Sequence, residues 1–133
     1  TSNAWNIIMD NKYILVVDDD ETIRMGLEIQ LDSAGYNVDT AKSGEDAIEM
    51  LDKGSSYDLV VTDLRMYGET GVDVFKKVRE INVKTPVMII SGFGGDTPLF
   101  KEAIELKPCA HAFKPFPEEE LLEKVRFCLA GAN

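Results

Sequence analysis

In the stretch "YILVVDDDETIR" the apolar residues Tyr13 to Val17 run directly into three consecutive carboxylates, Asp18, Asp19 and Asp20. Like charges this close repel, and burial raises the pKa of at least one of them unless a cation or hydrogen-bond donors hold the charge. Other reactive groups stand in equivalent places, directly after apolar runs: Asp63 closes "YDLVVTD", Ser91 follows "PVMII" and Lys114 follows "AHAF". Taken singly, an acid after such a run is an ordinary helix N-cap contributing about 0.5–2 kcal/mol, and one of Asp19 or Asp20 is expected to cap the helix that follows. Taken together, carboxylates, a hydroxyl and an ammonium at one rim have no reason to coincide as caps.

Whether they share a rim depends on the elements that carry them. Short apolar runs alternate with amphipathic segments five times along the chain. The runs 13–17, 57–62 and 86–90 are apolar without alternation, as expected of parallel strands covered on both faces. The weaker runs 36–41 and 110–113 suit positions nearer an edge. Ile23, Leu27 and Leu31 recur at helical spacing until Gly35 supplies a stop. Ser43 with Asp46, and Thr70 with Asp73, stand at capping-box spacing ahead of the second and third helices. Thr97 and Pro98 read as N-cap and N1 of the fourth. The fifth opens with Pro117 and Glu118 to Glu120 and later carries Lys124 and Arg126, an order that suits the helix dipole. Repeated β-α units predict an α/β, doubly wound, five-stranded parallel sheet, and such sheets bind ligands outside the carboxyl ends of their strands. Those ends carry Asp18, Asp19, Asp63, Ser91 and Lys114.

Composition narrows the function. A length of 133 residues with 44% hydrophobic content suits one domain with a continuous core. Fourteen basic against 24 acidic side chains leave a net charge of -10, and no Lys/Arg cluster resembles a phosphate-backbone footprint, so direct nucleic-acid binding is not expected. No apolar run approaches the roughly 20 residues that span a bilayer, and the chain reads as cytoplasmic with no membrane partner. Cys109 and Cys128 are read as buried small hydrophobes, consistent with a reducing compartment. The opening "TSNA" resembles an expression-vector remnant, so residues 1–10 are set apart from the domain expected over 11–131.

The motifs "ILVVDDD", "DLVVTDLRMYGETG", "PVMIISG" and "FKPF", in this order and spacing, resemble the receiver domains of bacterial two-component response regulators across nearly the whole chain. The resemblance implies a flavodoxin-like receiver fold with strand order 2-1-3-4-5. It also implies a phosphoacceptor that catalyses only its own phosphoryl transfer and dephosphorylation, and so is not an enzyme in the usual sense. Matched position by position, Asp63 is the acceptor, Asp18 and Asp19 form the acidic pair that organises a divalent cation, Ser91 contacts the phosphoryl group and Lys114 pairs with it. The implied cofactor is Mg²⁺, which takes hard oxygen ligands and retains waters: Asp19 and Asp63 directly, the backbone carbonyl of Arg65, and Asp18 through water. The implied partners are a histidine kinase or phosphotransfer protein and a downstream protein or output domain. Helix four, strand five and helix five are the expected switching surface and dimer face. His111 occupies the position where the family places its switch aromatic, and Tyr67 one where it places a Pro. Arg65 and Phe93 occupy the positions that flank the hydrolytic water, and neither supplies a base, so a long-lived phosphoryl group is expected.

Two other readings fit parts of the sequence. Asp18-x-Asp20-x-Thr22 after a strand resembles the first motif of haloacid-dehalogenase-type phosphatases, with Asp18 as nucleophile and Asp20 as general acid. That reading lacks an acidic pair after Lys114 and leaves Asp63 without a task. A receiver that serves as an unphosphorylated interaction module is the third, and the full set of acceptor-site residue types speaks against it.

Overall fold

A computed structural model describes residues 12–92, 95 and 97–131. The expected N-terminal remnant and Phe93 lie outside the described residues. Five strands alternate with five helices: β1 (Tyr13–Val17), α1 (Glu21–Ser33), β2 (Asn37–Ala41), α2 (Gly44–Asp52), β3 (Leu59–Asp63), α3 (Gly71–Ile81), β4 (Val87–Ser91), α4 (Pro98–Glu105), β5 (Ala110–Phe113) and α5 (Glu118–Leu129). All pairings are parallel and the order is β2-β1-β3-β4-β5. Strands β3 and β4 are buried along their length, and β1 is buried from Ile14 to Val17. The edge strands β2 and β5 are only partly so, which accounts for their weaker apolar pattern.

Side chains alternate across the sheet and build a core layer on each face. Leu15, Val17, Val60, Val87 and Ile89 pack with Val72, Phe75 and Val78 of α3, Leu51 of α2 and Ala103 of α4. Ile14, Val16, Leu59, Val61, Met88 and Ile90 pack with Leu27 and Leu31 of α1 and Leu121 and Val125 of α5. The helix starts follow the local chemistry. Asp20 caps α1 by accepting from the Ile23 N–H, Ser43 caps α2 from Asp46 N–H, and Thr97 caps α4 from Phe100 N–H with Pro98 in the first turn. Thr70 and Asp73 form a reciprocal capping box on α3. Ser43 and Asp46 supply only the Ser43 half of theirs. Helix α1 ends at Ser33, and Gly35 then takes a left-handed backbone (φ 101°).

The cysteines depart from the sequence expectation. Cys109 and Cys128 are not independent buried hydrophobes: their sulfurs are bonded at 2.08 Å, with Cα atoms 5.4 Å apart. Their positions are 19 apart in the sequence, yet α5 runs back antiparallel to β5, so its last turn returns to where that strand begins. The inference of a reducing compartment loses its basis with that pairing. Among the described residues, no helix is long and apolar enough to cross a membrane.

Candidate functional site

Parallel pairing of β1 with β3 aligns Val17 with Thr62, so the residues that follow, Asp18 and Asp63, emerge side by side. Asp18 is fully buried and held from several directions. Its Oδ2 accepts from Lys114 Nζ at 2.8 Å, its Oδ1 accepts from the Asp20 N–H at 2.9 Å, and its carbonyl accepts from the Arg24 guanidinium at 2.9 Å. Asp19 is exposed beside it. One carboxylate oxygen from each of Asp18, Asp19 and Asp63 lies within 4.8 Å of the others.

Asp63, only 6% exposed, accepts from the Leu64 N–H at 2.9 Å and lies 3.4 Å from Lys114 Nζ. Burial, reinforced by the charge of Asp18, pushes its pKa from 3.8 up to about 6, against the opposing pull of Lys114 and the Leu64 N–H. For Lys114, burial favours the neutral amine, but the hydrogen bond to Asp18 and the charges of Asp63 and Asp18 together win and hold its pKa above the ordinary value. Its backbone N–H donates to the Ser91 carbonyl at 2.7 Å, docking the end of β5 on the end of β4, and the following Lys114–Pro115 peptide is cis. Ser91, nearly buried, ends β4 one residue beyond Ile90, the register partner of Asp63. Every expected reactive group that is described therefore meets at one rim, except His111.

The donor set suits a small hard cation. It offers carboxylate oxygens on a semi-rigid frame, one exposed arm, and a like-charge repulsion that a cation would relieve. The chain after Asp63 keeps that frame tight. Leu64 N–H donates to the Ile90 carbonyl at 3.1 Å, and Gly71 N–H returns to the Leu64 carbonyl at 2.8 Å. Gly71 passes so close that a methyl group there would collide with the Asp63 carbonyl. Gly68 turns the loop with φ 73°. Arg65 and Tyr67 point outward, Tyr67 being 94% exposed.

His111 lies on the exposed side of β5. Its ring packs edge-on against Phe100 of α4 at 5.3 Å and Phe113 at 5.5 Å, forming an aromatic cluster at the α4–β5 boundary. Lys124 of α5 donates to the His111 carbonyl at 2.6 Å and to Glu120 at 2.7 Å. Sequence reasoning missed the structural parts played by Arg24, Lys124, Phe100 and Phe113. The alternation that puts residues 111 and 113 on one face of β5 was a usable signal for the last of these.

Comparison with known proteins agrees with this geometry. Residues 14–126 match the response regulator receiver domain family. The chain is 34% identical over 124 residues to the transcriptional regulatory protein FixJ of Bradyrhizobium diazoefficiens, an alignment covering 91% of this chain and 58% of that protein. It is 33% identical over 113 residues to the transcriptional regulatory protein DltR of Streptococcus agalactiae, covering 85% and 50%. The chain thus spans about half the length of these curated relatives. The crystal structure of FixJ-N superposes with a TM-score of 0.79 at 26% identity, covering 90% of this chain and 94% of that one. The response regulator protein TrrA of Thermotoga maritima, solved in complex with Mg(2+)-BeF, gives a TM-score of 0.77 at 34% identity, covering 89% and 99%.

Proposed function

Because this chain belongs to the response regulator receiver domain family, we propose that it accepts a phosphoryl group on Asp63 from a histidine kinase or phosphotransfer protein. The observation that carries this reading is the placement of a buried Asp63 carboxylate between Asp18, Lys114 and Ser91 at the carboxyl ends of β1, β3, β4 and β5. An Asp63 oxygen attacks phosphorus as the bond to the donor's histidine nitrogen breaks, and the nitrogen leaves with the electron pair. The product is an acyl phosphate. Lys114 stabilises charge on the transferring oxygens and Ser91 donates to one of them.

The residues fit Mg²⁺. Asp19, Asp63 and the Arg65 carbonyl would hold it, with Asp18 acting through water, in keeping with the engagement of both Asp18 oxygens by Lys114 and the Asp20 N–H. When bound, the ion neutralises charge that would otherwise keep a carboxylate from approaching a phosphoryl group. An apolar cleft of about 440 Å³ beside Lys114, lined in part by Ile23, Gly26, Leu27, Pro115 and Phe116, offers the phosphodonor a docking surface.

Phosphorylation adds about -1.5 to -2 charge and new acceptor oxygens. Ser91 and Lys114 draw toward them, and the change reaches the surface of α4, β5 and α5 through His111 and its aromatic neighbours. That surface is the proposed contact for a downstream protein or output domain and for dimerisation. The domain's catalysis is limited to its own phosphoryl transfer and loss. The proposed location of this exchange is the cytoplasm.

The test is intact mass spectrometry after incubation with Mg²⁺ and a small phosphodonor. The expected result is one acid-labile phosphoryl group, absent in Asp63→Asn. A label that survives Asp63→Asn and disappears in Asp18→Asn would instead identify a phosphatase-type nucleophile.

A further inference from the structure

Far from the carboxylates, the Cys109–Cys128 disulfide forms one wall of a cleft of about 470 Å³. The cleft lies at the amino ends of the strands, where Lys12 precedes β1, Asp58 precedes β3 and Pro86 precedes β4. Its lining reverses the charge of the molecule. The chain carries a net -10, yet Lys12, Arg79, Lys84 and Lys107 line this cleft against the carboxylate of Asp58, which already accepts from the Tyr13 N–H at 2.9 Å. Arg79 is anchored by its bond to the Thr85 carbonyl and by stacking 5.0 Å over Phe75. Lys107 adopts a left-handed backbone (φ 63°), rare for a residue with a side chain, two residues before Cys109. Cys128 is buried at 3% exposure, whereas Cys109 is the more exposed residue of the pair.

A bonded sulfur pair lining an open cleft and a cationic enclosure are together the features of an exchange site. Positive charge draws anionic thiols and stabilises the departing thiolate. The layered core packs on both faces of the sheet through many side chains besides Cys128, so the fold has support independent of the bond. We propose that Cys109–Cys128 is a reversible thiol–disulfide exchange site and that the cationic cleft selects small anionic thiols of the glutathione class as its partner.

A thiolate RS⁻ attacks Cys109 Sγ, the Cys109–Cys128 bond breaks, and Cys128 leaves as thiolate. A second RS⁻ attacks the R sulfur of the mixed disulfide, releasing RSSR and the Cys109 thiolate. Both protein thiolates take the protons of the two RSH consumed, and two electrons pass from the thiols to the protein. RSSR drives the reverse. While bonded, the pair ties the last turn of α5 to the start of β5, the strand that carries His111, so exchange alters how firmly that face is held.

The experiment treats the native, oxidised protein with reduced glutathione or with uncharged 2-mercaptoethanol, followed by acid quench, alkylation and intact mass spectrometry. The expected result is reduction by both thiols without denaturant. A Lys84→Glu/Lys107→Glu variant, whose changes are at exposed positions, should slow the glutathione reaction about three- to tenfold and the neutral-thiol reaction less than about twofold. Raising ionic strength should reproduce that selective slowing in the unaltered protein, independently of any variant. Equal slowing of both thiols, or none, would overturn the assigned selectivity. A bond that resists both thiols until the protein unfolds, or cysteines that stay reduced in glutathione disulfide, would overturn the exchange site itself.

Discussion

The Lys114 ammonium sits 2.8 Å from the Asp18 carboxylate, joining positions 96 residues apart in the sequence. Asp18 is wholly buried and Lys114 largely so, and the same ammonium lies 3.4 Å from Asp63. The lysine therefore compensates two acids in the resting site. Removing one partner of such a group strands charge in a low-dielectric setting, which costs about 3–5 kcal/mol. Lys114→Met should destabilise the metal-free protein by about that amount in urea unfolding. Adding Asp18→Asn should recover part of the loss, and additive losses would show that the pair is not coupled.

Asp63 supplies a pH-dependent prediction. Its folded pKa of about 6 lies above the ordinary 3.8, so the folded state binds this proton more tightly than the unfolded chain does. The contribution is fully present below pH 3.8 and is lost as pH rises through about 6. Asn mimics the neutral acid. In chelator at pH 7, Asp63→Asn should be more stable than the parent, by up to about 3 kcal/mol, with near parity at pH 4. Thermal melts at both pH values check this, and an equal gain at both would contradict the assigned cause.

Metal binding should raise the melting temperature by mass action, since a cation relieves repulsion only in the folded cluster. The increase with millimolar Mg²⁺ should fall sharply in Asp19→Ala. It should also shrink as pH drops below about 6, where protons compete for Asp63. An undiminished shift in the variant would place the ion elsewhere.

Tyr57 donates to Asp39 at 2.8 Å, and burial, then this bond and the charge of Asp39, push its pKa from 10.0 up to about 12. The neutral phenol is the favoured form, so its stabilisation is complete below pH 10 and declines between 10 and about 12. Tyr57→Phe should cost about 1–2 kcal/mol at neutral pH and should flatten the alkaline decline. Denaturant midpoints measured across that range decide it.

The lifetime of the phosphoryl group should rest on Arg65 and Phe93, neither of which can orient water as a base. Arg65→Asn with Phe93→Glu should accelerate phosphate loss after donor removal, by about tenfold or more. Equal decay in parent and variant would free both residues from that role.

Much of this arrangement was legible in the sequence because it depends on local signals. Continuous apolar runs mark buried parallel strands, and the topology then delivers Asp18, Asp63, Ser91 and Lys114 to one rim. Caps at Thr70 and Thr97, and one at either Asp19 or Asp20, follow from side chains that bond their own backbone a few residues on. What stayed hidden depends on return geometry. The pairing of Cys109 with Cys128 needs the direction of α5 relative to β5, and the grip of Lys114 on Asp18 needs the reach of one side chain from the end of β5 past β4 and β3 to the end of β1. The edge packing of His111 on Phe100 needs the position of α4 over β5. None of these distances is encoded in spacing along the chain.

The closure of the loop after Asp63 constrains descent as well as geometry. Leu64 and Gly71 are joined through backbone, and position 71 admits no side chain without striking the acceptor's own carbonyl. Between them Met66 is buried and Gly68 is held at a left-handed φ, while Arg65 and Tyr67 face solvent. A lineage carrying this loop can rewrite positions 65 and 67 more freely than positions 66, 68 and 71. Divergence among relatives should therefore concentrate at those two exposed positions while the buried and left-handed ones are inherited intact.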